Sequence, residues 1–129
     1  LLNSIRQNLI QNSVPVLYTS REIISPRDKN ELIQFQLFLS TFISEIVSAI
    51  KNEIGYLISK GGITTNTIIS DGLGADSVYL EGQILPGISL VTFNLFKQKG
   101  KLPIVTFPGN IGNDMSLVKV LEILENKNF

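Results

Sequence analysis

The 129 residues make one domain by size, and with 43% hydrophobic and 17% charged residues the chain can fill a core rather than stay disordered. Eleven basic residues balance eleven acidic ones, so there is no strongly cationic surface of the kind that nucleic acid or an anionic bilayer requires. The absence of His and Cys excludes Ser-His-Asp and Cys-His catalysis, disulfides and zinc sites of the usual ligand types; a metal would have to be a hard cation on oxygen ligands.

No unbroken apolar run reaches the roughly 18–20 residues of a membrane helix. Asn3, Arg6, Gln7 and Asn8 interrupt any signal-peptide core. With no cysteine, this composition leads us to expect a cytoplasmic protein. A chain that opens on Leu1 rather than Met reads as part of something longer, with a catalytic partner domain elsewhere.

In chain order, Leu2, Ile5, Leu9 and Ile10 recur at helical spacing and predict a helix from residue 2 to about 12. Pro15 ends it, and the apolar run 14–18 predicts a buried strand that lands on Thr19-Ser20-Arg21-Glu22. Ser25-Pro26 and Arg27-Asp28-Lys29 mark a loop. Leu32, Phe35, Leu39, Phe42, Ile43, Ile46, Ile50 and Ile54 then step by three and four, predicting the longest helix over 31–54, with Phe35 and Phe42 in the core. Gly55 stops it.

A short strand over 56–59 runs into Lys60-Gly61-Gly62, and Ile63-Thr64-Thr65-Asn66 opens a short helix closed by Gly72 and Gly74. Strands over 78–84 and 89–95 flank the turn Leu85-Pro86-Gly87. A polar turn over 97–101 precedes a strand over 103–107, which ends in Pro108-Gly109-Asn110-Ile111-Gly112. Asn113 or Asp114 caps a last helix with Leu117, Val118, Leu121, Ile123 and Leu124 on its apolar side. Alternating strands and helices predict an α/β fold: a three-layer, Rossmann-like sandwich with a mostly parallel sheet, mixed where the middle hairpin joins.

Three strands end in small, hydroxyl-rich or glycine-rich loops: Thr19-Ser20-Arg21, Gly61-Gly62-Ile63-Thr64-Thr65, and Pro108 to Gly112. Loops beyond strand carboxyl ends converge on one edge of an α/β sheet, where ligands bind. Glycines there let backbone N–H groups approach an anion, and a helix start adds unpaired amides and a favourable dipole. No Walker A or GxGxxG motif is present. Each loop alone also reads as a plain turn; Arg21 reads first as a surface partner of Glu22, and Asp71 and Asp76 as solvated turn carboxylates rather than metal ligands. Taken together the loops predict a phosphate or nucleotide binder without an obvious catalytic base.

These loops, in this order, resemble the C-terminal nucleotide-binding domain of the four-carbon acid sugar kinase family. The resemblance runs through Tyr18-Thr19-Ser20-Arg21-Glu22, Lys60-Gly61-Gly62-Ile63-Thr64, the stretch from Gly82 to Ser89, and Phe107-Pro108-Gly109-Asn110-Ile111-Gly112. It implies the ATP-binding half of a two-domain enzyme that phosphorylates acid sugars such as threonate or erythronate. ATP and Mg²⁺ would be the cofactors, an N-terminal substrate domain the partner, and the isolated chain inactive. By the same resemblance Ser20 would contact the nucleotide; Arg21 is a candidate on its own chemistry, its planar fork being suited to phosphate. Pro86, Gly87, Ile88 and Ser89 would line the site, Gly109, Asn110 and Gly112 would form the phosphate-side loop, and Gly61, Gly62 and Thr64 would floor the cleft. No catalytic residue and no metal ligand is assigned to this chain.

Ile63 stands where many members carry an acid, and Phe107 where they carry a lysine; a branch with Gly-Gly-Ile-Thr and Phe-Pro-Gly-Asn shares both departures. Neither side chain can coordinate Mg²⁺ or neutralise phosphate. They leave open a non-catalytic nucleotide-sensing or assembly module, and a domain for another phosphorylated metabolite. A homodimer is compatible with the sequence.

Overall fold

The computed structural model describes residues 1–20, 28–95 and 100–126. Helix α1 (Leu2–Ile10) is followed by the long helix α2 (Lys29–Ile50), strand β1 (Leu57–Lys60) and the short helix α3 (Gly62–Thr67). α3 continues directly into a single π-helical turn (Ile68–Gly72). Strands β2 (Tyr79–Leu85), β3 (Ile88–Leu95) and β4 (Gly100–Phe107) and helix α4 (Ser116–Asn126) complete the order. The expected turn over 97–101 lies mostly outside the described residues.

The sheet order is β1-β4-β3-β2. β1 runs parallel to β4, while β2–β3 and β3–β4 are antiparallel. The sheet is therefore mixed, as expected, but its parallel share is one pairing of three, because the strand expected at 14–18 is not part of it. That segment has no regular secondary structure, hydrogen-bonds to no strand among the described residues, and leaves Val16 70% and Tyr18 84% exposed.

Period-two alternation along β3 and β4 sends side chains to both faces. Val91, Phe93, Leu95, Leu102 and Ile104 pack with Val47 of α2 and with Ile68, Leu73 and Ala75. Ile88, Val105 and Phe107 pack on the opposite side with Val120 and Leu124 of α4. Helices thus cover both faces of one sheet, which is the three-layer arrangement the sequence predicted. On α4 the buried stripe is Ser116, Val120 and Leu124, whereas Leu117 and Val118, expected on the apolar side, are exposed.

α2 is capped by Asp28, whose carboxylate accepts the Glu31 amide at 2.8 Å. By length and composition it could cross a bilayer, which corrects the expectation that no segment could. Its C-terminal half instead packs in the protein, with Ser40, Ser44, Ile46, Val47 and Ile50 buried. At about 33 Å it far outreaches the roughly 13 Å of β1. No residue of α2 before Ser40 is buried, and Phe35 and Phe42 are not core residues: both are exposed, and Phe38 stacks on Phe42 at 6.4 Å.

α1 is fastened to the other end of α2. Ile5 packs on Ile46 and Ile50, and the Arg6 guanidinium grips both Glu53 oxygens and the Ala49 carbonyl. That clasp lowers the Glu53 pKa and raises that of Arg6.

Candidate functional site

β1 and β4 are parallel neighbours with Lys60 opposite Phe107, so both strands deliver their following loops to one end of the sheet. The Gly61 amide donates to the Phe107 carbonyl at 2.9 Å, carrying the ladder one residue past β1. β3 is antiparallel to β4 and pairs Ser89 with Thr106, which brings the β2–β3 turn to the same end. Pro86 and Gly87 form the two corners of that turn; Gly87 takes φ 77°, a left-handed conformation natural to glycine. Its amide donates to the Gln83 side chain at 3.2 Å.

Three of the four predicted clusters therefore meet at one rim. A Cβ on Gly109 would lie 4.0 Å from the Gly61 Cα, and one on Gly87 would lie 3.2 Å from Ile111 Cδ1. Gly112, at φ 99°, lies against the Phe107 ring, where a Cβ would approach to 2.9 Å, so a side chain there would drive into the core. Thr64 lies on the first turn of α3, and the buried Thr65 hydroxyl ties α3 to Ser59 of β1 at 2.8 Å. Ser20 is exposed and no hydrogen bond among the described residues joins it to this rim. Arg21 lies outside the described residues.

Between the turn and α4 opens a cleft of about 410 Å³, lined by Leu85, Pro86, Ile88, Ile111, Gly112, Asn113, Ser116 and Lys119. That is within the size range of small-molecule sites. One wall is aliphatic; the other is polar and carries an ammonium. The lining contains no carboxylate, and no cluster of three acidic residues occurs among the described residues. The two helix starts differ. Gly61 caps α3 with no side chain, leaving the first-turn amides without a side-chain acceptor. At α4, Asn113 Oδ1 accepts the Met115 amide at 3.0 Å and Ser116 Oγ accepts the Asn113 amide at 2.8 Å, so that end is already capped from within.

Two cations escaped the sequence reading. Lys119 lines the cleft. Lys60 donates to the Pro108 carbonyl at 3.0 Å and the Ile111 carbonyl at 3.4 Å, with its ammonium 4.4 Å from the Phe107 ring centroid. Phe107 is buried beneath it. Lys60 thus pins the 108–112 loop whose Ile111 side chain walls the cleft. The available signals were the position of Lys60 directly before Gly61-Gly62 and that of Lys119 three residues past Ser116.

A layered α/β domain with glycine loops, a half-aliphatic, half-polar cleft and two ammonium groups at one sheet end has the parts that a site for a small anionic ligand needs. The model of the nucleotide-binding C-terminal domain family matches residues 1–117. The chain belongs to that family. Two crystal forms of a Bordetella bronchiseptica protein, described as a domain of unknown function (DUF1537) with bound citrate and as a domain-swapped dimer, share the fold. One has a TM-score of 0.65 at 17% identity, covering 92% of this chain and 28% of that one. The other has 0.67 at 15% identity, covering 99% and 31%. This chain thus spans about a third of their length. No curated protein matches.

Proposed function

We propose that this domain binds ATP in the cleft between the Pro86-Gly87 turn and α4, as the nucleotide half of a kinase for four-carbon acid sugars. The observation that carries the reading is the meeting of 61–64, 86–89 and 109–112 at one end of the sheet, within a family of nucleotide-binding domains. The base would lie against Leu85, Pro86, Ile88 and Ile111, with the phosphates directed toward the lysine-bearing polar side. With no carboxylate in the lining, Mg²⁺ would come as a counter-ion of the triphosphate, held by phosphate and water oxygens. The substrate domain, the acid sugar and the phosphoryl transfer belong to the longer protein. We carry a homodimer to this chain in the same reading.

Ile63, 60% exposed at the rim, and the buried Phe107 favour a second reading, a nucleotide-sensing module without phosphotransfer. Lys60 argues against it, because its ammonium lies above the Phe107 ring and restores a positive charge to the rim.

Isothermal titration of the chain with MgATP and with threonate tests the site. The expected result is weak MgATP binding, no threonate binding, and at least a tenfold loss, about 1.4 kcal/mol, for Gly109→Val. Unchanged affinity in that variant would remove the site assignment; tight binding that needs no partner domain would favour the sensor.

A further inference from the structure

The polar groups of the cleft suit one end of a nucleotide and not the other. Its aliphatic wall, Leu85, Pro86, Ile88 and Ile111, carries no side-chain donor or acceptor. On the opposite wall the side-chain oxygens are already engaged. Asn113 Oδ1 accepts from the Met115 amide and from the Ser116 hydroxyl, both at 3.0 Å, and Ser116 Oγ accepts the Asn113 amide at 2.8 Å. Two main-chain acceptors are occupied as well. The Asn113 carbonyl takes the Ser116 amide at 3.0 Å, and the Ile111 carbonyl takes the Lys60 ammonium at 3.4 Å. Among the described residues, the lining side chains still present the Asn113 amide N–H groups and the Lys119 ammonium, which only donate.

Such a lining matches groups that only accept. Phosphate oxygens do so, and their charge strengthens each bond that an ammonium makes to them. A base edge is different. Adenine offers an amino donor where guanine offers a carbonyl acceptor, and telling the two apart needs a partner fixed against that edge. The aliphatic wall has none. It offers flat apolar contact, which any base can use because every base has a face.

We propose that the cleft selects its nucleotide by phosphate charge and is indifferent to the base, so that its ligands are purine nucleoside triphosphates as a class, ATP being one of them. The inference rests on the nucleotide reading of this site. Lys119 is the residue that senses the charge: it stands three positions past Ser116, on the same side of α4, and its ammonium meets no partner among the described residues. An apolar pocket discriminates weakly between similar ligands, whereas a site built to hydrogen-bond one edge rejects the wrong one by orders of magnitude.

Titration of the chain with MgATP, MgGTP, MgADP and adenosine tests this. MgATP and MgGTP are expected to bind within about threefold of each other, with MgADP clearly weaker and adenosine without measurable affinity. Lys119→Met should weaken both triphosphates by the same factor, about tenfold, and close most of the gap to MgADP. Lys119→Arg, which keeps the charge, should keep that gap. A preference of about tenfold or more for one triphosphate over the other overturns the inference and leaves the nucleotide reading standing, since one of them still binds. A Lys119→Met chain that still prefers MgATP to MgADP as the native chain does overturns the role given to Lys119. If no nucleotide binds, the nucleotide reading itself fails, and base indifference falls with it.

Discussion

Glu81 sits at the start of the β2–β3 hairpin with its carboxylate receiving two donors, the buried Thr92 hydroxyl at 2.7 Å and the Lys101 ammonium at 3.3 Å. The Thr92 bond, then Lys101, holds its pKa below the ordinary carboxylate value. A depressed folded-state pKa contributes stability that is fully present above the unfolded value, about 4.3, and is lost as pH falls through the folded one. Glu81→Gln should therefore melt with a shallower acid limb than the native chain, the two curves converging at low pH; parallel Tm–pH curves would refute the coupling. Residues of this kind show why the site was half legible. Gly61, Gly87 and Gly112 punctuate the sequence because the backbone at those places takes positive φ, a constraint local to each residue. Lys60 and Lys119 do not stand out, since a lysine beside a glycine or on a helix looks the same whether it faces water or a cleft. Only the pairing of β1 with β4 reveals that Lys60 reaches the Pro108 carbonyl.

Among the elements, α2 was legible in existence and type, because its apolar spacing of three and four persists over its whole length. Periodicity says which face is apolar but not what covers it. The same stripe that buries Ile46, Val47 and Ile50 leaves Phe35 and Phe42 bare. Segment 14–18 failed for a related reason: a strand is completed by a non-local partner, which its own residues do not specify. Because the first half of α2 makes few buried contacts, its order depends on local terms, chiefly the Asp28 cap on the Glu31 amide. Asp28→Ala should cost about 1 kcal/mol in urea denaturation. It should also raise amide exchange from Glu31 to Phe38 more than around Val47, which is held by the core. Uniform acceleration along the helix would mean that α2 opens as one unit.

For the whole molecule, the fold class followed from the alternation of strands and helices, and the layers from the two-sided patterning of β3 and β4. The strand order could not be read, because an antiparallel β3 beside β4 depends on which edges remain free once the hairpin forms. The order that results leaves the β1 edge, segment 14–18 and half of α2 uncovered together, and this makes stability a question of assembly. If two copies associate over these surfaces, as the homodimer reading has it, unfolding includes dissociation, and each tenfold dilution removes about 1.4 kcal/mol of apparent stability. Melting midpoints should climb steadily with protein concentration. Val16→Asp, which sets a carboxylate on the exposed apolar segment 14–18, should flatten that dependence while leaving the far-ultraviolet spectrum of the folded chain in place. A concentration-independent midpoint in the native chain would mean that the domain is stable with its edge open, and that the bare half of α2 serves some surface other than its own twin.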